Sequence, residues 1–135
     1  MSDYGFTGAT LVDGIPIRDI KEGQFVMSYN FKLGKLKMCR VLKKFVESMP
    51  SEMIKINNNL VVTFDHPFYE LGNGKYIPAR LLRLGHKLFT RTNSIEVIER
   101  LELIRTKGED FVYSLKVEEL HNYFANGYLV FHTGV

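Results

Sequence analysis

The sequence repeats part of itself. Ile15-Pro16-Ile17-Arg18-Asp19-Ile20-Lys21-Glu22-Gly23 returns 62 residues later as Ile77-Pro78-Ala79-Arg80-Leu81-Leu82-Arg83-Leu84-Gly85, with Ile, Pro, Arg and Gly matched without a gap. A glycine turn precedes each copy (Asp13-Gly14, then Asn73-Gly74), and a strand-like pair follows (Phe25-Val26, then Leu88-Phe89). Two copies are too few for a solenoid of stacked repeats. In 135 residues they predict a duplication inside one domain, folded as two pseudo-symmetric halves.

The rest of the chain reads as β structure. Apolar and β-branched residues come in short bursts at Phe25–Tyr29, Met38–Val46, Met53–Val62, Phe111–Val117 and Tyr128–Phe131, each of strand length. Asn57-Asn58-Asn59, Gly72-Asn73-Gly74 and Asn126-Gly127 supply turns, because Asn and Gly tolerate positive φ. Helical spacing is scarce. The best helix candidate is 78–85, with Pro78 in its first turn and Gly85 as its stop. The segment Ile95–Ile104 suits a strand better than a helix, with Ile95, Val97, Leu101 and Leu103 alternating.

Composition excludes several classes. With 45% hydrophobic and 24% charged residues the chain is globular, and a net charge of +3 falls short of a dedicated nucleic-acid binder. The single cysteine, Cys39, can make no internal disulfide and reads as a packed strand residue. No apolar run reaches membrane-spanning length, and the chain start has no signal-peptide pattern, so a soluble cytoplasmic chain is expected, with no membrane partner. The basic run Lys32, Lys35, Lys37, Arg40, Lys43, Lys44 reads as the solvated face of a β-ribbon.

Histidines carry most of the chemical options. In Val62-Thr63-Phe64-Asp65-His66-Pro67, a turn at Asp65 would let the Thr63 hydroxyl and the His66 imidazole converge on one peptide bond. Such a pair can hold an oxyanion and protonate a leaving nitrogen. The same residues also read as a strand threonine and a turn-capping histidine. His121 lies among aromatics in Leu120-His121-Asn122-Tyr123, and His86 is expected to face solvent at the end of the 78–85 helix. His66, His121 and His132 lack the spacing of a metal motif, so neither metal nor cofactor is expected.

Taken together, four segments resemble the sequence blocks of inteins and related Hedgehog/intein (Hint) domains. They are Gly5-Phe6-Thr7-Gly8-Ala9-Thr10-Leu11-Val12 with Ile20–Val26, then Val62–Pro67, then Val112–Glu118 leading to His121–Gly127, and finally Tyr128–Thr133. No extra domain separates Leu88-Phe89 from Phe111-Val112, so the chain looks like a minimal intein or bacterial intein-like domain without a homing endonuclease. The resemblance implies an all-β, horseshoe-like Hint fold of two pseudo-symmetric halves with at most one or two short helices. It places the domain at 5–132, with 1–4 and 133–135 as flanking remnants. The implied activity is single-turnover acyl transfer at the domain's own ends, acting in cis on its flanking segments as a monomer and without nucleic acid.

The chain departs from that family at the reacting positions. Gly5 stands where the first nucleophile belongs, so no side chain can attack the Tyr4 carbonyl from there. Counted from Asn126-Gly127, His132 takes the place of the terminal Asn and Thr133 that of the acceptor; with a one-residue gap, His132 becomes the penultimate histidine and Thr133 replaces the Asn. Ser114 occupies a position where the family often has Asp. Thr63, His66 and His121 remain as the assisting groups, and the domain is expected to be inactive as written. The alternatives are a degenerate Hint scaffold, processing by another route, or a small basic β-barrel that binds a partner through the Lys32–Lys44 ribbon.

Overall fold

The computed structural model describes residues 4–132. Fifteen strands follow one another: β1 Phe6–Thr7, β2 Leu11–Val12, β3 Ile15–Pro16, β4 Phe25–Asn30, β5 Lys35–Ser48, β6 Glu52–Ile56, β7 Leu60–Val62 and β8 Pro67–Glu70. The series continues with β9 Lys75–Pro78, β10 Lys87–Phe89, β11 Ile95–Val97, β12 Leu101–Arg105, β13 Phe111–Val117, β14 Asn122–Ala125 and β15 Tyr128–Phe131. One sheet has the order β12-β6-β7-β1-β13-β5-β4, and a second runs β11-β10-β8-β15-β14 with β9 also on β8. Apart from short 3-10 turns, the described residues are all β, as the sequence blocks imply.

The duplication is visible bond by bond. Each half has a hairpin (β2–β3, β8–β9), one 3-10 turn (Ile17–Asp19, Ala79–Leu81) and a following strand (β4, β10). Ile20 donates to the Ile17 carbonyl at 3.2 Å and Leu82 to that of Ala79 at 3.1 Å. Gly23 and Gly85, with φ of +93° and +91°, each donate at 2.8 Å, to Val41 and to Ile98. Both positions need glycine because a Cβ disfavours that backbone region. Even a side-chain bond repeats: the Lys21 amide donates to Gln24 Oε1, and the Arg83 amide to His86 Nδ1 at 2.9 Å.

The same correspondence reaches the chemistry-bearing loop. Ile17 and Arg18 donate to the carbonyls of Thr10 and Gly8, while Ala79 and Arg80 donate to those of His66 and Phe64. Thr7-x-x-Thr10 therefore sits in one half where Thr63-x-x-His66 sits in the other.

Apolar residues of both halves, among them Phe6, Ile17, Val26, Val41, Phe68 and Leu88, form one buried cluster. Each such side chain contributes about 1.5–3 kcal/mol by leaving water. Asn122 at the start of β14 ties the sheets together. Its Oδ1 accepts from the Tyr29 amide at 2.8 Å and its Nδ2 donates to the Tyr29 carbonyl at 3.0 Å, as a strand neighbour would.

Three local expectations are corrected. The 78–85 helix is a single 3-10 turn, with Leu82 already extended at ψ 148°. Its apolar residues do not share a buried face: Ala79 and Leu82 are buried, but Leu81 and Leu84 are exposed. His86 consequently caps no helix; its Nδ1 accepts the Arg83 amide. Ile95–Ile104 is two strands, β11 and β12, in different sheets. The break comes at Glu99 and Arg100, whose amides both donate to Asn57 Oδ1, while Ile98 turns into the core. Cys39 is buried in β5, opposite Val26, as the alternation predicts. Among the described residues, no helix is long and apolar enough to cross a membrane.

Candidate functional site

The central strand β1 carries the start of the chain between β7 and β13, through the pairs Phe6↔Val62 and Phe6↔Tyr113. One residue earlier, the Gly5 amide donates to Thr63 Oγ1 at 3.0 Å and the Thr63 amide donates back to the Gly5 carbonyl at 3.0 Å. The chain turns at Phe64-Asp65 directly after β7. That turn delivers the His66 ring to Phe6 (centroids 4.4 Å) and Tyr4 (5.7 Å), the residues on either side of Gly5. The hydroxyl and the imidazole thus converge on the Tyr4–Gly5 peptide.

A hydrogen-bonded series runs behind His66. Its Nε2 lies 3.2 Å from Ser114 Oγ on β13, and Ser114 Oγ lies 3.3 Å from the Tyr123 hydroxyl on β14. Tyr123 Oη accepts from the Leu115 amide at 3.3 Å. The Tyr123 hydroxyl, the Ser114 hydroxyl and the His66 imidazole thus form one continuous hydrogen-bonded series. Thr63, His66, Ser114 and Tyr123 are all fully buried.

His132, immediately after β15, completes the cluster. Its ring stacks on Phe45 at 4.7 Å, meets the edge of Tyr4 at 5.0 Å and lies 6.1 Å from the His66 ring. Burial, reinforced by His132, lowers His66 from 6.5 to about 3. Burial and the Lys116 ammonium lower His132 to about 4. Both rings are neutral at physiological pH and can exchange protons without carrying a standing charge. Burial raises the Tyr123 phenol well above its ordinary value, so it stays a donor.

Of the residues singled out in the sequence, Gly5, Thr63, His66, Ser114 and His132 meet here. His121 stands apart. It has a left-handed backbone (φ +59°), its ring faces Phe131 at 6.2 Å, and it joins the site through its carbonyl, which accepts from the His132 amide at 3.1 Å. Thr133 lies outside the described residues. Sequence reading missed Tyr4, Phe45 and Tyr123. The Tyr123 signal was its place two residues after His121 in an aromatic strand, all four of whose residues are buried, whereas nothing local in the sequence links Phe45 to His132. Among the described residues no cluster of metal-ligating side chains is present. The basic ribbon is partly engaged within the chain, since Lys37 pairs with Glu119 at 2.8 Å and Lys44 Nζ donates to the Arg18 carbonyl.

Position 5 is sterically tight. A Cβ on Gly5 would lie 2.9 Å from the Tyr113 amide nitrogen and 2.9 Å from Val112 Cβ. Gly5→Ala must push β1 from β13 and is expected to cost about 1–3 kcal/mol. Thermal melting followed by circular dichroism should show a drop of roughly 3–10 °C. An unchanged melting temperature would mean that the strands separate freely at this point.

The comparisons agree with this fold. No curated protein matches the chain. The solution structure of a bacterial intein-like domain from Clostridium thermocellum is 28% identical, covers 98% of this chain and 100% of its own, and superposes with a TM-score of 0.83. A DnaB intein from Synechocystis sp. PCC 6803 is similar in fold at 20% identity, with coverage of 97% and 99% and a TM-score of 0.74. An intein from a hyperthermophile is similar in fold at 18% identity, with coverage of 96% and 100% and a TM-score of 0.77. The pretoxin Hint domain profile matches residues 9–135, nearly the whole chain, and the protein belongs to that Hint family.

Proposed function

We propose that this is an intein-like self-processing domain whose substrate is its own Tyr4–Gly5 peptide, and that the acyl shift from position 5 is closed because glycine supplies no nucleophile. The observation that carries this reading is the Gly5 amide held by Thr63 Oγ1 at 3.0 Å beside a buried, neutral His66. Thr63 fixes the amide nitrogen that must leave, and His66 is the group able to protonate it. Position 132 is vacated in the same sense, since imidazole there cannot cyclise onto the chain as an Asn side chain does.

A substituted fusion tests the proposal. Gly5→Cys with His132→Asn, carried between two flanking proteins, is expected to give thiol-dependent cleavage or ligation. The introduced thiol attacks the Tyr4 carbonyl carbon, the bond from that carbon to the nitrogen of position 5 breaks, and the nitrogen takes a proton. What remains is a thioester that dithiothreitol opens. A folded fusion that stays intact with dithiothreitol over a day would remove the self-processing reading.

A further inference from the structure

A hydroxyl both donates and accepts, so the Ser114 Oγ contact at 3.2 Å leaves the neutral His66 ring free to carry its one proton on either nitrogen. We propose that Tyr123 is a positioning residue that removes this choice: acting through Ser114, its hydroxyl holds His66 as the tautomer with the proton on Nδ1. The inference rests on the self-processing reading above and adds the group behind His66 that readies the ring to give up a proton.

Among the described residues the fully buried Tyr123 hydroxyl has two partners, the Leu115 amide and Ser114 Oγ, both at 3.3 Å. The amide can only donate. The phenolic proton, kept on its oxygen because burial raises the phenol above its ordinary value, therefore has Ser114 Oγ as its one acceptor. If Tyr123 donates to Ser114, the serine proton goes on to Nε2, and the ring's own proton sits on Nδ1. Both hydroxyl protons are then used, and only Nδ1 is left without a hydrogen-bond partner. In the reverse direction Nε2 donates to Ser114 and Ser114 to Tyr123. That strands the buried phenolic proton and leaves the Nδ1 lone pair unmatched as well. One orphaned buried group costs less than two, so the first direction prevails. Pro67 adds to it. Having no N–H, its backbone acts on the ring through the carbonyl, an acceptor that raises the His66 pKa and suits a proton on the nitrogen that Ser114 does not hold.

Because Nε2 is occupied by Ser114, any proton that the ring gives to the nitrogen of position 5 leaves from Nδ1. In the Gly5→Cys chain that nitrogen gains the Nδ1 proton as its bond to the Tyr4 carbonyl carbon breaks, and the proton shed by the attacking thiol restores the ring. The ring ends neutral, as its burial requires. Without the Tyr123 hydroxyl, part of the population holds the Nε2–H form, whose Nδ1 has no proton to give.

Nitrogen-15 NMR of the full chain near pH 7 reads the tautomer directly, with the His66 signals assigned by their loss in His66→Ala. The expected wild-type spectrum has a protonated Nδ1 and an unprotonated Nε2. Tyr123→Phe, which keeps the buried ring, should bring in the Nε2–H form. Ser114→Ala removes the link and should release the tautomer in the same way, and the double variant should go no further than either single one. In the Gly5→Cys fusion, Tyr123→Phe should slow dithiothreitol-dependent cleavage on the order of 10-fold, the weight of one orphaned buried group. The proposal is overturned if wild-type His66 carries its proton on Nε2, if Tyr123→Phe leaves the tautomer unchanged, or if the two single effects add in the double variant, as independent packing losses would. The tautomer is read on the unreacted chain, so the two readings fail separately. A Gly5→Cys fusion that stays intact while His66 keeps a Tyr123-dependent Nδ1–H ends the self-processing reading and leaves the positioning role standing. Equal cleavage rates with and without the Tyr123 hydroxyl overturn the positioning role alone.

Discussion

In the Gly5→Cys background, His66→Ala is expected to slow cleavage of the peptide between Tyr4 and position 5 by about 10²–10⁴-fold, whereas His86→Ala leaves the rate unchanged. The difference follows from what each ring touches. His66 is fully buried against Phe6 and Tyr4, on both sides of the bond that breaks. The Nδ1 of His86 is committed to the Arg83 amide, in the turn that mirrors Lys21–Gln24. Because His66 is lowered to about 3 by burial and by His132, its ring is neutral from pH 5 to 8. The His66-dependent factor should therefore be flat over that range, and any rise in rate with pH belongs to ionisation of the thiol. A time course of fragment release on gels at several pH values checks both points. Equal rates for the two alanine variants would strip His66 of its role.

The second large effect concerns stability. Glu70, at the end of β8, is a buried carboxylate that accepts from the Asn73 amide at 2.6 Å, Asn73 Nδ2 at 2.7 Å and the Lys87 amide at 2.7 Å. It closes the β8–β9 turn and ties that hairpin to β10. Glu70→Ala leaves those partly buried donors without their acceptor and is expected to cost about 1–3 kcal/mol, measured by urea titration. Burial alone would raise the carboxyl pKa, but the amides of Lys87, Asn73 and Gly72, with the Asn73 side chain, outweigh it and hold the group below its ordinary 4.5. With the folded value below the unfolded one, this stabilisation is complete above about pH 4.5 and is lost as pH falls through the folded value. His66 acts in the same direction from a higher start, since its unfolded ring takes a proton near 6.5 and the folded one only near 3. Wild type should thus lose stability from about pH 6.5 downward, through His66 and His132 together, and more steeply below about pH 4.5; Glu70→Ala should lack the steepening. An unchanged low-pH limb in the variant would refute the assignment.

The duplication was legible in the sequence because it is local: glycine, proline and apolar spacing recur in register, and the same backbone bonds recur with them. The Thr63-x-x-His66 turn was legible for a similar reason, as it spans four residues and one chain reversal. The false helix at 78–85 shows the limit of such signals. Pro and Gly bracket a 3-10 turn as readily as an α-helix, and it is the extended backbone already at Leu82 that tells them apart. The Ser114–His66 contact spans 48 residues and the Phe45–His132 stack joins β5 to the end of β15, pairings set by sheet order rather than by motif.

The rings of Tyr4 and His132, near opposite ends of the sequence, lie 5.0 Å apart. For any polypeptide attached ahead of one and behind the other, the folded domain acts as a short staple. It holds the two segments at an effective concentration on the order of millimolar, whatever lies between them along the chain. Unfolding replaces the staple by a flexible loop of about 130 residues, whose closure costs roughly 4 kcal/mol. Fold stability and the encounter of the two attached segments are therefore one linked equilibrium, and a weakened hairpin at Glu70 would loosen that encounter without touching Thr63, His66 or Ser114.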